Sequence, residues 1–143
     1  MSSEPHLIEL ADRLHSAAIH VLRRVARQDA ASGLGGPALS ALSVVVFGGP
    51  ISLGRLAEAE RMRPPTMTRT VQALEAAGLV RREPDPTDRR VVNLSPTGKG
   101  VQVLQSARTR RVAALAESLE GLGERDLGTL ERAAELLDGI ASR

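Results

Sequence analysis

The chain has 143 residues and a formal net charge of +2, with 42% hydrophobic and 25% charged residues, a balance that fits one soluble globular domain. There is no cysteine, which excludes thiol redox sensing, thiolate metal sites and cysteine nucleophiles. No apolar run approaches the roughly 20 residues needed to span a bilayer, and no charged start with an apolar run behind it stands near Met1. A cytoplasmic protein without a membrane partner is therefore expected.

Phe47 is the only aromatic residue. The core has to be assembled from Leu, Val, Ala and Ile, each burying modest area at roughly 25 cal/mol per Å². Long helices and a partner subunit would help such a core. Lys99 is the only lysine, so nearly all positive charge is arginine. The basic excess lies in the middle of the chain, where Arg55, Arg61, Arg63, Arg69, Arg81, Arg82, Arg89, Arg90 and Lys99 outnumber Glu58, Glu60, Glu75, Glu83, Asp85 and Asp88. Arginine suits phosphate and base-edge contacts because its planar fork is bidentate and always charged.

In chain order, Leu7, Leu10, Leu14, Ala18, Val21 and Val25 recur at spacings of three and four, which predicts a helix over Glu4 to Asp29. The Gly- and Pro-rich stretch from Ala30 to Pro37 ends it. A short helix is expected from about Ala38 to Val46, broken by Gly48-Gly49-Pro50. Ser52 reads as the N-cap of a further short helix carrying Leu53, Leu56 and Ala57 inward. Arg61-Met62-Arg63 forms the turn. Pro64 suits the first turn of the next helix, because a missing N–H there is no loss. That helix runs to about Ala77, with Met67, Val71 and Leu74 inward and Gly78 as its C-cap.

The period then changes. Leu79–Glu83 and Val91–Leu94 are short β-prone runs separated by Pro84-Asp85-Pro86-Thr87-Asp88-Arg89-Arg90, the pattern of a hairpin with a long loop. The helical period returns from Ser95 or Thr97. Val101, Leu104, Val112, Leu115, Leu119 and Leu122 form one stripe, interrupted by Arg108 and Arg111. Leu127, Leu130, Ala134, Leu137 and Ala141 form the last, with Ile140 beside it. Helix, turn, helix, hairpin is the order of a winged helix-turn-helix. The fold class is thus mainly α with a small β-hairpin wing, flanked by N- and C-terminal helices.

With Met67, Val71 and Leu74 inward, 100° per residue turns Pro65, Thr66, Arg69, Gln72 and Ala73 outward. This face is slim, and Arg and Gln are side chains that read base edges in a major groove about 12 Å wide. An ordinary solvent face is the bland alternative, though it would more usually carry several Glu and Lys. Arg89 and Arg90 sit at a loop tip, where a wing would put an arginine into the minor groove. Asp88 is placed to aim one guanidinium through a bidentate pair. An inert charged turn is the alternative there.

The stretch from Ile51 to Gly100 resembles the core of the MarR family of bacterial transcriptional regulators. The resemblance is carried by Leu56-Ala57, Thr68-Arg69, Leu74-Glu75, Gly78-Leu79-Val80 and Arg82, then by the wing signature Asp88, Arg90, Leu94 and Thr97 with Gly100 behind it. The outer helices fit the family's layout as well. Two departures stand out: Arg63 occupies the position where relatives often place a capping Ser or Thr, and Pro96 replaces a usual Leu, which bears on where the second wing strand ends.

The resemblance implies one MarR-like domain over residues 1–143, with DNA binding over about 37–97 and dimerisation helices over about 4–32 and 98–143. It implies a sequence-specific regulator of double-stranded DNA, read as a repressor released by a small aromatic or phenolic effector whose binding residues no motif assigns. It makes the Pro64–Ala77 helix the recognition helix, with Arg69 and Thr66 as readers, Pro65 and Gln72 beside them, and Thr68 on the flank toward phosphate. In the wing it favours Arg90, while Arg89 lies nearer the tip. A homodimer on a pseudo-palindromic operator follows. Two other readings stay open, a winged-helix module that binds protein and a non-specific architectural DNA binder.

An enzyme finds no support. Ser52 and Thr97 read as helix caps rather than nucleophiles, and neither a phosphate-binding glycine loop nor a zinc-protease motif is present. His6, His15 and His20 share one helix at spacings that do not stack them on one face, so they read as ordinary surface or interface residues. No metal and no cofactor are expected.

Overall fold

The structure, a computed structural model, describes residues 4–143. It comprises α1 (Glu4–Ala26), a 3₁₀ segment (Arg27–Ser32), α2 (Gly36–Gly48), β1 (Ile51–Ser52), α3 (Leu53–Ala59), α4 (Pro64–Ala76), β2 (Val80–Pro84), β3 (Val92–Pro96), α5 (Gly98–Leu119) and α6 (Glu124–Ala141). The core lies between α2, α3, α4 and the sheet, where Leu42, Val45, Leu56, Met67, Val71, Leu74 and Leu94 are sealed from solvent. Aliphatic residues fill it without a single ring, as the composition requires.

The α-helical part of the first helix is shorter than its periodicity predicts. It ends at Ala26, and the chain tightens into 3₁₀ geometry through Ser32. The reason is tertiary. Asp29 turns inward to meet Arg111 of α5 at 2.6 and 2.7 Å, and the Ser32 hydroxyl donates to the Asp29 carbonyl. This bidentate pair pushes the Arg111 pKa up, against the opposing effect of burial.

The hairpin gains a third strand. The sheet order is β1-β3-β2, all antiparallel, with Ile51 opposite Leu94 and Ser52 opposite Asn93. Two residues of β1 could not be recognised by alternation, since they have no period to show. The second wing strand runs on through Pro96, which pairs with Val80. A proline is tolerated there because β1 ends opposite Asn93 and Leu94, so Pro96 has no neighbour on that side to receive the N–H it lacks. Its carbonyl accepts from Arg81 Nη1 at 3.3 Å.

The caps fall where the sequence places them. Ser52 accepts from the Arg55 N–H, and Thr97 accepts from the Gly100 N–H. Gly78 adopts φ +72° just past α4, where its N–H bonds the Glu75 carbonyl and the Leu79 N–H bonds that of Leu74. Those paired bonds form a Schellman ending that needs a left-handed residue.

Gly100 holds α5 against the sheet. A Cβ at this position would lie 2.1 Å from the Leu79 carbonyl oxygen, so only glycine permits the approach. Replacing Gly100 by Ala should lower stability by about 1–3 kcal/mol, read as a lower midpoint in urea unfolding. An unchanged midpoint would mean that the approach of α5 to Leu79 has slack.

Candidate nucleic-acid interface

Helix α4 starts without a side-chain cap. Arg63 is extended, and its carbonyl accepts the N–H groups of Thr66 and Met67, both at 3.0 Å. Pro64 and Pro65 then occupy the first turn, so two of the N–H groups a helix start normally leaves unpaired do not exist. The absent cap is thus of little consequence. It follows that this helix end has few amides to offer a phosphate, which leaves any such contact to side chains.

The buried stripe of Met67, Val71 and Leu74 fixes the rotation of α4. Pro65, Thr66, Arg69, Gln72 and Ala73 are exposed on the opposite side, and Thr68 is half-buried on the flank. The hydroxyl of Thr68 donates to the Pro64 carbonyl at 2.9 Å, which ties it to its own helix. Arg69 and Gln72 make no side-chain hydrogen bond or ion pair among the described residues, so both polar ends are available for a ligand.

The wing loop is organised by a residue that sequence reasoning did not single out. Asp85 Oδ1 accepts from the Thr87 N–H, the Thr87 hydroxyl and the Asp88 N–H, while Oδ2 accepts from Asn93 Nδ2. The Asp85 N–H closes the base of the loop on the Val91 carbonyl. An aspartate side chain readily accepts from the backbone N–H two residues on and so closes a turn, and Pro84-Asp85-Pro86-Thr87 carried that signal. These bonds, the Thr87 hydroxyl first, hold the Asp85 carboxyl far below the usual carboxylate range.

Asp88 and Arg90 form the bidentate pair that their spacing suggests, at 3.1 and 3.2 Å. This pair also lowers the Asp88 pKa. The Arg90 side chain remains 91% exposed, so it is oriented without being covered. Arg89 is exposed beside it with no ion pair among the described residues. The two arginines therefore differ: one is aimed by a carboxylate and the other is free.

The wing is tied to α4 by contacts that no spacing rule reveals. Arg82 Nε of β2 donates to Glu75 Oε1 of α4 at 2.6 Å. The Thr97 hydroxyl donates to the Gly78 carbonyl at 2.6 Å, and Lys99 Nζ to the Ala77 carbonyl at 2.9 Å. On the wing itself, Glu83 accepts from both Arg81 and Ser95, which lowers its pKa, Arg81 contributing most.

A buried core shared by α2, α3 and α4, an outward face on α4 and a hairpin with two exposed arginines in its loop define a winged helix-turn-helix protein. Comparison with known proteins narrows the class. The MarR family pattern matches residues 42–92. An HTH-type transcriptional regulator of Mycobacterium bovis is 35% identical over 128 residues, covering 90% of each chain, and one of Mycobacterium tuberculosis matches equally well. Among solved structures, a transcriptional regulator from Thermotoga maritima superposes with a TM-score of 0.82 at 26% identity, over 94% of this chain and 95% of that one. The multiple antibiotic-resistance repressor of Listeria monocytogenes shares the fold, with a TM-score of 0.79 at 19% identity over 97% of each chain. This chain belongs to the MarR family of DNA-binding transcriptional regulators. Its mycobacterial relatives are HTH-type transcriptional regulators.

The lowered carboxylate pKa values set a pH expectation for the wing. A carboxylate whose folded pKa is depressed stabilises the loop above its unfolded value, about 3.9, and that contribution disappears as pH falls through the folded value. The wing should therefore hold one geometry from about pH 5 upward and loosen only in strong acid. The Thr87 and Asp88 amide signals in an NMR titration would report it, and movement of both near pH 6 would contradict the assignment. In Asp85→Ala the same two amides should exchange freely at neutral pH.

Proposed function

We propose that the chain acts as a homodimeric, sequence-specific repressor that reads a pseudo-palindromic operator and is released by a small aromatic or phenolic ligand. The carrying observation is the outward face of α4, where Arg69 and Gln72 stand exposed and unengaged. In this reading Arg69 and Thr66 contact base edges, Pro65 and Gln72 pack beside them, and Thr68 lies toward a phosphate. Arg90, steadied by Asp88, enters the minor groove or lies on its phosphates, with Arg89 adding charge. Residues 37–97 supply the DNA-binding part, and residues 4–32 with 98–143 supply the dimer.

Support for the dimer comes from helices whose apolar faces are left exposed. None of the residues of α6 is buried, and Leu130, Leu136, Leu137 and Ile140 are exposed along it. On α1, Leu7, Ile8, Leu10, Leu14 and Leu22 are likewise exposed. Apolar area of this extent is normally covered by another molecule. A two-fold dimer would then place its half-sites about one turn, ~10 bp, apart. Sedimentation at micromolar concentration should give a dimer, and a folded monomer there would sink the proposal.

Support for an effector comes from a 370 Å³ cavity between α1, the 3₁₀ segment, α2 and α5, with Leu22, Val25, Leu39, Ser43 and Arg111 among its walls. Its volume is in the range of small-ligand sites. It lies where the outer helices meet the DNA-binding part, so a bound ring would bias one against the other. Salicylate serves as the probe. It should weaken operator binding, and Ser43→Phe, which fills the cavity, should remove the response while leaving unliganded DNA binding intact. Equal inhibition of both proteins would place the ligand elsewhere.

The helix and the wing should separate in a salt series on the selected operator and on random duplex. Arg69→Ala should cost about 1–3 kcal/mol on the operator and relax one position per half-site. Replacing Arg89 and Arg90 together by Ala should weaken both DNAs and flatten the salt dependence by about 0.9 for each phosphate no longer neutralised. If Arg69→Ala lowers both affinities equally, α4 is not the reader. Absence of duplex binding would favour the protein-interaction module, and equal affinity for operator and random duplex would favour the architectural binder.

A further inference from the structure

Recognition by a winged helix requires two elements to reach DNA at once, the helix in one groove and the hairpin in the next. Their relative angle is therefore part of the binding site. In this chain α4 and β2 are joined by the short turn at Gly78, and beyond that turn they are tied by the charged pair between Glu75 and Arg82. The pair spans seven residues of sequence and links the last turn of α4 to the middle of β2. Both side chains are only partly exposed, 30% for Glu75 and 39% for Arg82. Opposite Arg82 in the sheet lies Leu94, a core residue, so the strand position carrying the arginine is anchored.

We propose that Glu75 and Arg82 are positioning residues that set the angle between the recognition helix and the wing and thereby contribute to operator specificity. The proposal rests on α4 and the wing being the two DNA-contacting elements. Charge alone makes the opposite forecast for Glu75. A carboxylate on a DNA-facing element repels phosphate, so its removal should tighten binding to any duplex. A positioning carboxylate acts otherwise: once it is gone, the bonds of Thr97 and Lys99 at the turn remain but the middle of β2 is released from α4, and the operator, which needs both grooves engaged in one register, is the DNA that suffers. Random duplex, bound mainly through phosphates, loses little or gains.

Glu75→Ala, Arg82→Ala and the double variant test this in the full-length protein, on the selected operator and on random duplex, with thermal melting alongside. Glu75→Ala should lower the ratio of operator to random affinity by roughly fivefold to tenfold, and the double variant should lose no more than Arg82→Ala alone, since the two act as one unit. A higher operator affinity in Glu75→Ala would overturn the proposal in favour of simple repulsion. Additive losses in the double variant would also overturn it and make Arg82 a direct phosphate contact. Parallel loss on both DNAs with a falling melting temperature and an unchanged ratio would reduce the pair to a fold contact. Wild-type binding and the Arg69→Ala result stand apart from these outcomes, so failure of the underlying DNA-contact assignment would be recognised separately.

Discussion

One face of α4 cannot be anywhere but inside. Met67, Val71 and Leu74 are sealed against Leu42, Val45 and Leu56, and each such side chain contributes about 1.5–3 kcal/mol when buried. Rotating the helix by one residue would expose all three and turn Thr68, Gln72 and Glu75 inward, burying an amide and a carboxylate without partners. The register of α4 is thus held by the core, and the identity of its outward residues is settled by the same packing. A helix that presents side chains to another macromolecule needs this kind of constraint, because its functional face does nothing to hold itself in place.

The wing is built on a different principle. Its loop buries no large apolar side chain, and Val91 and Val92 are exposed. Order comes from a carboxylate that collects four hydrogen bonds, a bidentate arginine–aspartate pair, and the ladder between β2 and β3. Charge-assisted bonds of this type are short and directional. They give the loop one geometry while leaving it thin. The aliphatic core and the polar wing meet at Gly78 and Gly100, where a left-handed turn and a close approach to Leu79 bring helix, strand and the start of α5 together.

Beyond this frame, an ion pair joins the 3₁₀ segment after α1 to α5. The buried Asp29 carboxylate, 6% exposed, meets Arg111 across 82 residues of sequence. An ion pair of this kind adds little net stability over an apolar pair, but loss of either partner would leave an uncompensated charge. It therefore fixes where α1 leaves the body more than it stabilises the chain. The apolar stripes of α1 and α6 stay exposed beyond it, and the proposed dimer rests on them.

Much of this was legible in the sequence. Helical periods, glycine and proline punctuation and cap residues located the helices to within a few residues, and the order of helix, turn, helix and hairpin led to the fold. The outward set on α4 followed from three inward residues and an angle of 100° per residue. What the sequence could not convey is where distant residues meet. Asp29 read as part of a helix and Arg111 as a flaw in an apolar stripe, because each makes sense only beside the other. β1 was too short to have a pattern, and its strand character comes from the partner strand. The tie between Glu75 and Arg82 depends on how the turn at Gly78 folds the chain back. Periodicity is a local property of backbone geometry, so sequence alone determines which residues share a face. Ion pairs, third strands and cavities are created by chain closure, and only the tertiary structure decides them.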